Sequence, residues 1–381
     1  MSVRTYINPV SGRTYSLNTP LWRDPIDGGY LNLTSGAGLD QSDIDTRARG
    51  PWRYRAAMPL FPHDKAITLG EGGTPLIASQ WDGTPVELKL ECLAPTGSFK
   101  DRGTTAMISY LAARGVKEII EDSSGNAGAS VAAYAAAAKI SCRIFVPASA
   151  SPEKLLQMRA CGADVVAVEG TRSDVAKAAI KSAEFPGAFY ASHNYQPHFL
   201  EGTKTLAYEL WEDLHFFAPD AIVMPVGAGS NLLGCFIGFS ELLQRGEINR
   251  MPRMYAVQPT ACAPLVKAWE THAENVAPVI RTRQTIAEGI VIPAPIRGLE
   301  MLTAIRETKG NAIAVDDEAI VAALKNLARQ GFLVEPTSAT AAAGLSELLL
   351  SGNIKNGERI VLIMTGHGLK TATKISELIA R

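Results

Sequence analysis

Lys117-Glu118-Ile119-Ile120-Glu121-Asp122 leads directly into Ser123-Ser124-Gly125-Asn126-Ala127-Gly128-Ala129-Ser130, and then into an alanine-rich run that ends at Ala138. The order is strand, small polar loop, helix. It decides the fold because it recurs. Cys142 to Val146 is followed by a helix starting near Ser151-Pro152, and Ala163 to Val168 by a helix over Ser173 to Ala183. Three successive units of this kind predict a parallel sheet with helices on both faces, an α/β architecture. A second series runs through Ala221 to Leu243, Met254 to Gln258 and Ile313 to Arg329, and ends with Arg359 to Met364. In such sheets ligand-binding loops leave the carboxyl ends of strands.

The loops so placed carry complementary chemistry. Val86-Glu87-Leu88-Lys89-Leu90-Glu91 alternates as a strand does, Thr104 to Ala113 has helical spacing, and between them lies Gly97-Ser98-Phe99-Lys100-Asp101-Arg102-Gly103. A lysine in a turn ahead of a helix can be desolvated, held still and aimed at one carbonyl carbon, as a Schiff-base amine must be. Gly227-Ala228-Gly229-Ser230-Asn231 offers backbone N–H groups and a helix N-terminus to a phosphate, or else forms a tight turn against the sheet. Asn126 either donates to an anionic ring oxygen or, with Ser123 and Ser124, caps the helix that follows. Thr365-Gly366-His367-Gly368 follows the last strand. There Thr365 is a neutral hydroxyl for a pyridine nitrogen, and His367, between two glycines, reads as a packed residue that positions backbone.

Composition removes several classes of function. The 381 residues carry 37 Lys and Arg against 38 Asp and Glu, a net charge of −1, so no global field attracts nucleic acid or an anionic membrane. Cys92, Cys142, Cys161, Cys235 and Cys262 are scattered and odd in number. That suits reduced buried thiols in a cytoplasmic protein and suggests neither a disulfide framework nor a metal site. The stretch up to Leu17 lacks the apolar core of a signal peptide. Ala221 to Ser240 contains no charged residue, yet Pro225 and the glycine loop interrupt it, so it reads as strand, loop and helix rather than a membrane span. The glycine loop does not match the GxxxxGK[ST] spacing or the full GxGxxG spacing, which disfavours nucleotide triphosphates and a dinucleotide-binding oxidoreductase.

Taken in order, Leu69-Gly70-Glu71-Gly72-Gly73-Thr74-Pro75-Leu76, the Lys100 segment, the Ser-Gly-Asn loop, Glu201-Gly202-Thr203-Lys204-Thr205, Glu335-Pro336-Thr337-Ser338 and Thr365-Gly366-His367-Gly368 resemble the threonine synthase family of fold-type II pyridoxal phosphate enzymes, which are tryptophan synthase beta-like. The resemblance covers roughly residues 69 to 370. It implies two parallel-sheet, three-layer domains with pyridoxal 5'-phosphate in the cleft between them: a large domain from residues 51–104 and 200–381, and a small mobile domain from 105–199. Residues 1–50 resemble a zinc-ribbon-like arm that has lost its cysteines and folds without metal. By the same resemblance Lys100 is the Schiff-base lysine and Asn126 contacts the 3′-oxygen of the cofactor. Gly227, Ala228, Gly229, Ser230 and Asn231 cradle its phosphate, and Thr365 meets the pyridine nitrogen. Ser124, Gly125, Asn126 and Ala127 hold the carboxylate of an amino-acid substrate, and the enzyme is a cytoplasmic homodimer.

Two departures bear on the substrate. Threonine synthases read Asn-Pro-(Tyr/Phe)-Arg-Leu-Glu-Gly where this chain reads Gln196-Pro197-His198-Phe199-Leu200-Glu201-Gly202, so Phe199 stands in place of an arginine that helps bind the phosphate of O-phosphohomoserine. Loss of such a charge-assisted contact removes on the order of 2–3 kcal/mol. His198, Lys204 and Arg297 are the cations that would have to compensate. Thr285-Ile286-Ala287-Glu288-Gly289-Ile290 is more similar to threonine and serine dehydratases. The expected activity is that of a lyase that makes L-threonine and phosphate from O-phospho-L-homoserine. The alternative is an ammonia-lyase or β-replacement enzyme acting on a hydroxy or otherwise β-substituted amino acid. A catalytically inactive regulator would lack the lysine or the glycine loop, and both are present.

Overall fold

The computed structural model describes residues 4–61, 63–150, 152–281 and 283–380. In chain order the strands are β1 (Thr5–Ile7), β2 (Thr14–Ser16), β3 (Asn32–Leu33), β4 (Leu76–Trp81), β5 (Thr84–Lys89), β6 (Glu118–Glu121), β7 (Ser141–Pro147), β8 (Asp164–Val168), β9 (Ala188–Tyr190), β10 (Ala221–Pro225), β11 (Arg253–Pro259), β12 (Asn311–Val315) and β13 (Ile360–Ile363). The helices are α1 (Lys100–Ala113), α2 (Asn126–Ala138), α3 (Pro152–Ala160), α4 (Arg172–Ser182), α5 (Pro197–Thr203), α6 (Thr205–Asp213), α7 (Ser230–Arg245), α8 (Pro264–Glu270), α9 (Gly298–Glu307), α10 (Asp317–Arg329), α11 (Pro336–Leu350) and α12 (Ala372–Ile379). Ser151, expected near the start of α3, lies outside the described residues.

Residues up to Gly72 together with Lys100–Thr205 form one compact unit, and Gly73–Phe99 together with residues from Leu206 onward form a second. These limits differ from the expected 50, 104 and 199. The physical reason lies in α1, which buries Met107, Ile108 and Leu111 against Ile119 of β6 and Val131 and Tyr134 of α2. The N-terminal arm joins the same core through Tyr6, Leu17 and Leu31.

The first unit holds a four-stranded sheet in the order β8-β7-β6-β9, parallel throughout. Adjacent residues of β6 face opposite layers: Ile119 packs with α1 and α2, whereas Ile120 packs with Phe145, Val175, Ala179 and Tyr190. Strand β9 is only three residues long and had no sequence signal of its own. The arm is a small antiparallel sheet, β2-β1-β3. Its turns close around Asp24, a buried carboxylate that accepts from the Asn8 amide at 2.7 Å and the Tyr15 hydroxyl at 2.9 Å and pairs with Arg13 at 3.1 Å.

The second unit holds a six-stranded sheet, β12-β11-β10-β13-β5-β4, parallel except for the antiparallel edge strand β4. Every residue of β10 and β13 is buried, as the continuous apolar runs of a doubly covered parallel sheet require. Ala221, Val223, Tyr255, Val257, Ile360 and Leu362 share one core with Leu324, Leu327 and the small residues Ala339, Ala341, Ala342 and Ala343. The alanine-rich face of α11 lets that helix lie close to the sheet, and Gly344 abuts Val257 so tightly that a Cβ there would sit 2.4 Å from its Cγ2. The expected parallel sheets are therefore found, with β4 as the exception. Among the described residues no helix is long and apolar enough to cross a membrane.

Candidate active site

In the first unit Lys100 is the opening residue of α1 rather than part of a turn ahead of it. The helix is anchored directly behind that lysine. Asp101 is fully buried, its Oδ1 accepts from the Ser130 hydroxyl at 2.6 Å, and the same Ser130 oxygen lies 2.8 Å from Thr104 Oγ1. This bond ties α2 to α1 at the point where the loop over residues 123–126 enters α2. Of the two alternatives for this loop, the side-chain cap is not found: Gly125 occupies the N-cap position without a side-chain cap bond, and Asn126 is the first helical residue. Ser123 accepts from the Gly125 N–H at 3.3 Å, inside the loop. The thirteen-residue α2 therefore presents the positive end of its dipole at Ser124 to Ala127, which suits a carboxylate.

Phe199 lies on α5 and is fully buried. Its ring presses on Gly103 of α1, where a Cβ would fall 2.5 Å from ring carbons. The Lys100 ammonium is 5.6 Å from the ring centroid, so the residue that replaces the family's arginine sits beside the proposed catalytic amine. The other cations noted from sequence are engaged elsewhere. Lys204 is buried and bonded to Glu201 at 2.6 Å and to the Ala57 carbonyl at 2.9 Å. Arg297 pairs with Glu300 at 2.9 Å. His198 is buried and stacked on Tyr110 with ring centroids 3.6 Å apart.

Sequence reasoning missed one pair in this unit. Glu121 ends β6 and His193 follows β9; the two strands are parallel neighbours, and the side chains meet at 3.1 Å through Glu121 Oε1 and His193 Nδ1. A charged residue at the carboxyl end of a strand, after the apolar pair Ile119-Ile120, was the available signal. Burial, and next the carboxylate of Asp122, push Glu121 well above the ordinary carboxylate range. Burial, and next the charge of Lys100, hold His193 well below the usual imidazole range.

In the second unit β10 and β13 are adjacent parallel strands, and the loops that leave their carboxyl ends are Gly227–Asn231 and Thr365–Gly368. Gly229 caps α7 with φ +88°, in the left-handed region, and a Cβ there would lie 2.2 Å from Met301 Sδ. On Gly227 a Cβ would fall 2.8 Å from the Ile290 Cα. Asn231 is buried, and both of its side-chain amide atoms are without a hydrogen-bond partner among the described residues. A buried amide in need of a partner, beside the N-terminus of a sixteen-residue helix, fits a phosphate. Thr365 is also buried, with its hydroxyl 2.8 Å from that of Ser338. Its carbonyl accepts from the Phe99 N–H at 3.0 Å, and the His367 N–H donates to Gly97 at 2.9 Å. His367 Nδ1 accepts from the Leu369 N–H at 3.1 Å, the backbone-positioning role expected of it. The residue that immediately precedes Lys100 is thus held by Thr365.

The chain has clear relatives among known proteins. Residues 67–366 match the pyridoxal-phosphate dependent enzyme family. The threonine synthase of Methanocaldococcus jannaschii is 37% identical over 87% of this chain and 83% of that protein. The threonine synthase of Methanosarcina acetivorans is 35% identical over 94% of this chain and 90% of that protein. Among solved structures, a threonine deaminase from T.th. superposes with a TM-score of 0.66 at 26% identity, covering 77% of this chain and 92% of that one.

Proposed function

Because the chain belongs to the pyridoxal-phosphate dependent enzyme family, as its match over residues 67–366 and its 37% identity to a threonine synthase establish, we propose that it is a lyase converting O-phospho-L-homoserine and water to L-threonine and phosphate. The observation that carries this reading is the position of Lys100 at the head of α1, with its preceding residue bonded to the Thr365 loop. Pyridoxal phosphate, when bound, supplies the electron sink that makes a proton on Cα removable. The chain's residues do the rest. Asn231, Ser230 and the N–H groups after Gly227, Ala228 and Gly229 would take the phosphate, Thr365 would offer the ring nitrogen a neutral hydroxyl, and Asn126 would donate to the 3′-oxygen. Lys100 would hold the cofactor through its carbonyl carbon, and its amine is the base placed to remove the Cα proton of the substrate. Ser124 to Ala127 fix the substrate carboxylate at the start of α2. We further propose that the enzyme works in the cytoplasm as a homodimer and that the smaller unit moves on substrate binding.

A second reading has a specific observation in its favour. Phe199 brings neither charge nor donor to the neighbourhood of Lys100, and Lys204 and Arg297 are committed to other carboxylates. That arrangement suits a neutral hydroxyl substituent better than a phosphate monoester, and so an ammonia-lyase acting on threonine or serine. Incubation of the holoenzyme with O-phospho-L-homoserine, L-threonine and L-serine in parallel, with phosphate, ammonia and amino-acid analysis, separates the two. Phosphate release matched by threonine supports the first. Ammonia and a keto acid, without phosphate release, would replace it with the second.

A further inference from the structure

Glu121 and His193 have no part in the assignment above. They nevertheless stand where a ligand-binding pair is expected, at the carboxyl ends of the adjacent parallel strands β6 and β9. The Glu121 side chain is wholly enclosed, while the His193 side chain keeps 10% of its surface open. Because Nδ1 is taken by Glu121 at 3.1 Å, Nε2 is the nitrogen left to meet a ligand. The imidazole lies 5.6 Å from the Phe199 ring, the same ring that is 5.6 Å from Lys100 Nζ. A carboxylate behind, an imidazole in front and the candidate amine around one aromatic ring make a compact acid–base arrangement.

We propose that Glu121 and His193 form a second acid–base couple that handles the proton of the oxygen at the substrate's Cβ. The proposal rests on the lyase reading and holds for both of its branches. When a β-hydroxyl departs, the Cβ–O bond breaks with its electron pair on oxygen. His193 Nε2 gives its proton to that oxygen, Glu121 passes its own to Nδ1, and water leaves. When water adds at Cβ, the new C–O bond forms and the same relay runs backward, returning a proton to Nε2. Lys100 handles the Cα proton in either direction, and solvent water restores the couple. One proton shared by the pair is the state this relay needs. Burial supplies it by holding the carboxyl protonated and the imidazole neutral. The other titratable or charged groups acting on the pair are Asp122, Arg172, Lys100, Cys142 and Tyr190.

The test compares wild type with His193→Gln and Glu121→Gln holoenzymes. Three quantities are read: turnover, exchange of the substrate Cα hydrogen for deuterium by NMR, and the visible absorption of the bound cofactor. Loss of a general acid–base is expected to lower turnover by about 10²–10⁴-fold in His193→Gln, leaving Cα exchange and the absorption near wild type. Glu121→Gln is expected to lower turnover and also to move the imidazole ¹⁵N signals of His193, a readout independent of activity. Turnover within about threefold of wild type in His193→Gln would overturn the proposal. So would loss of Cα exchange and absorption together with turnover, which would mark His193 as structural. A wild-type enzyme that exchanges no Cα hydrogen on any of the three amino acids would overturn the lyase reading itself, and this proposal with it.

Discussion

The two units solve the same architectural problem, a parallel sheet between helices, and then use its carboxyl edge differently. In the second unit the loops after β10 and β13 offer glycine backbone with Ser230, Asn231 and Thr365, groups that bind through N–H, amide and hydroxyl dipoles and carry no titratable proton in the working range. In the first unit the corresponding edge carries Glu121 and His193, with Lys100 opening α1. In the proposal above, phosphate binding falls to one unit and proton movement to the other. The division makes physical sense, because a phosphate cradle needs fixed donors, whereas acid–base groups need burial and charged neighbours to set their protonation.

The largest effect expected from this contrast is at Lys100. Lys100→Ala is expected to abolish turnover, Cα exchange and the visible absorption of the lysine-bound cofactor, while pyridoxal phosphate still associates non-covalently through the second unit's glycine loop. Absorption spectra and equilibrium dialysis measure the two properties separately. A variant that retained turnover and absorption would falsify the assignment of the amine.

Next in size is the residue beside it. If O-phosphohomoserine is the substrate, Phe199→Arg supplies the missing charge, and its KM is expected to fall about 30-fold, the equivalent of on the order of 2 kcal/mol. If a hydroxy amino acid is the substrate, the new cation has nothing to bind and instead lies buried beside Lys100, so KM for that substrate rises. Steady-state kinetics on both substrates, with circular dichroism to check folding, gives the answer. On the other unit, Gly229→Ala places a side chain at φ +88° and against Met301. A strain of about 1–3 kcal/mol predicts cofactor affinity about tenfold weaker, with the rate at saturating cofactor little changed.

The difference between the units also decided what was legible in the sequence. Glycine loops between a strand and a helix are local patterns, and Gly227–Asn231 and Thr365 lie where that pattern placed them. The Glu121–His193 pair joins residues 72 apart in sequence, through a strand of three residues, so no spacing rule could pair them. The capping role offered to Ser123, Ser124 and Asn126 failed because Gly125 takes the N-cap position itself. The limits of the two compact units differ from the expected ones for a related reason. The sequence marks where a helix begins and ends but not which sheet its apolar face will cover, and α1 packs with β6 and α2.

The smallest effect concerns pH and the first unit's stability. His198 occupies a fully enclosed site against Tyr110, and neither ring nitrogen has a hydrogen-bond partner among the described residues. Desolvation lowers its pKa to about 3, far below the value of about 6.5 in an unfolded chain. Between those values the unfolded chain binds a proton that the folded chain does not, so folding is favoured fully above about pH 6.5 and loses stability as pH falls toward 3. The loss amounts to about 1.4 kcal/mol per pH unit at its steepest. His198→Phe keeps a planar ring against Tyr110 but has no proton to gain. Urea midpoints measured from about pH 6.5 down to about pH 4 should therefore fall less steeply in the variant than in wild type. Parallel profiles would mean that His198 finds a proton-bound partner in the folded state. The polar character of that site would then be a stabilising contact rather than a cost of burial.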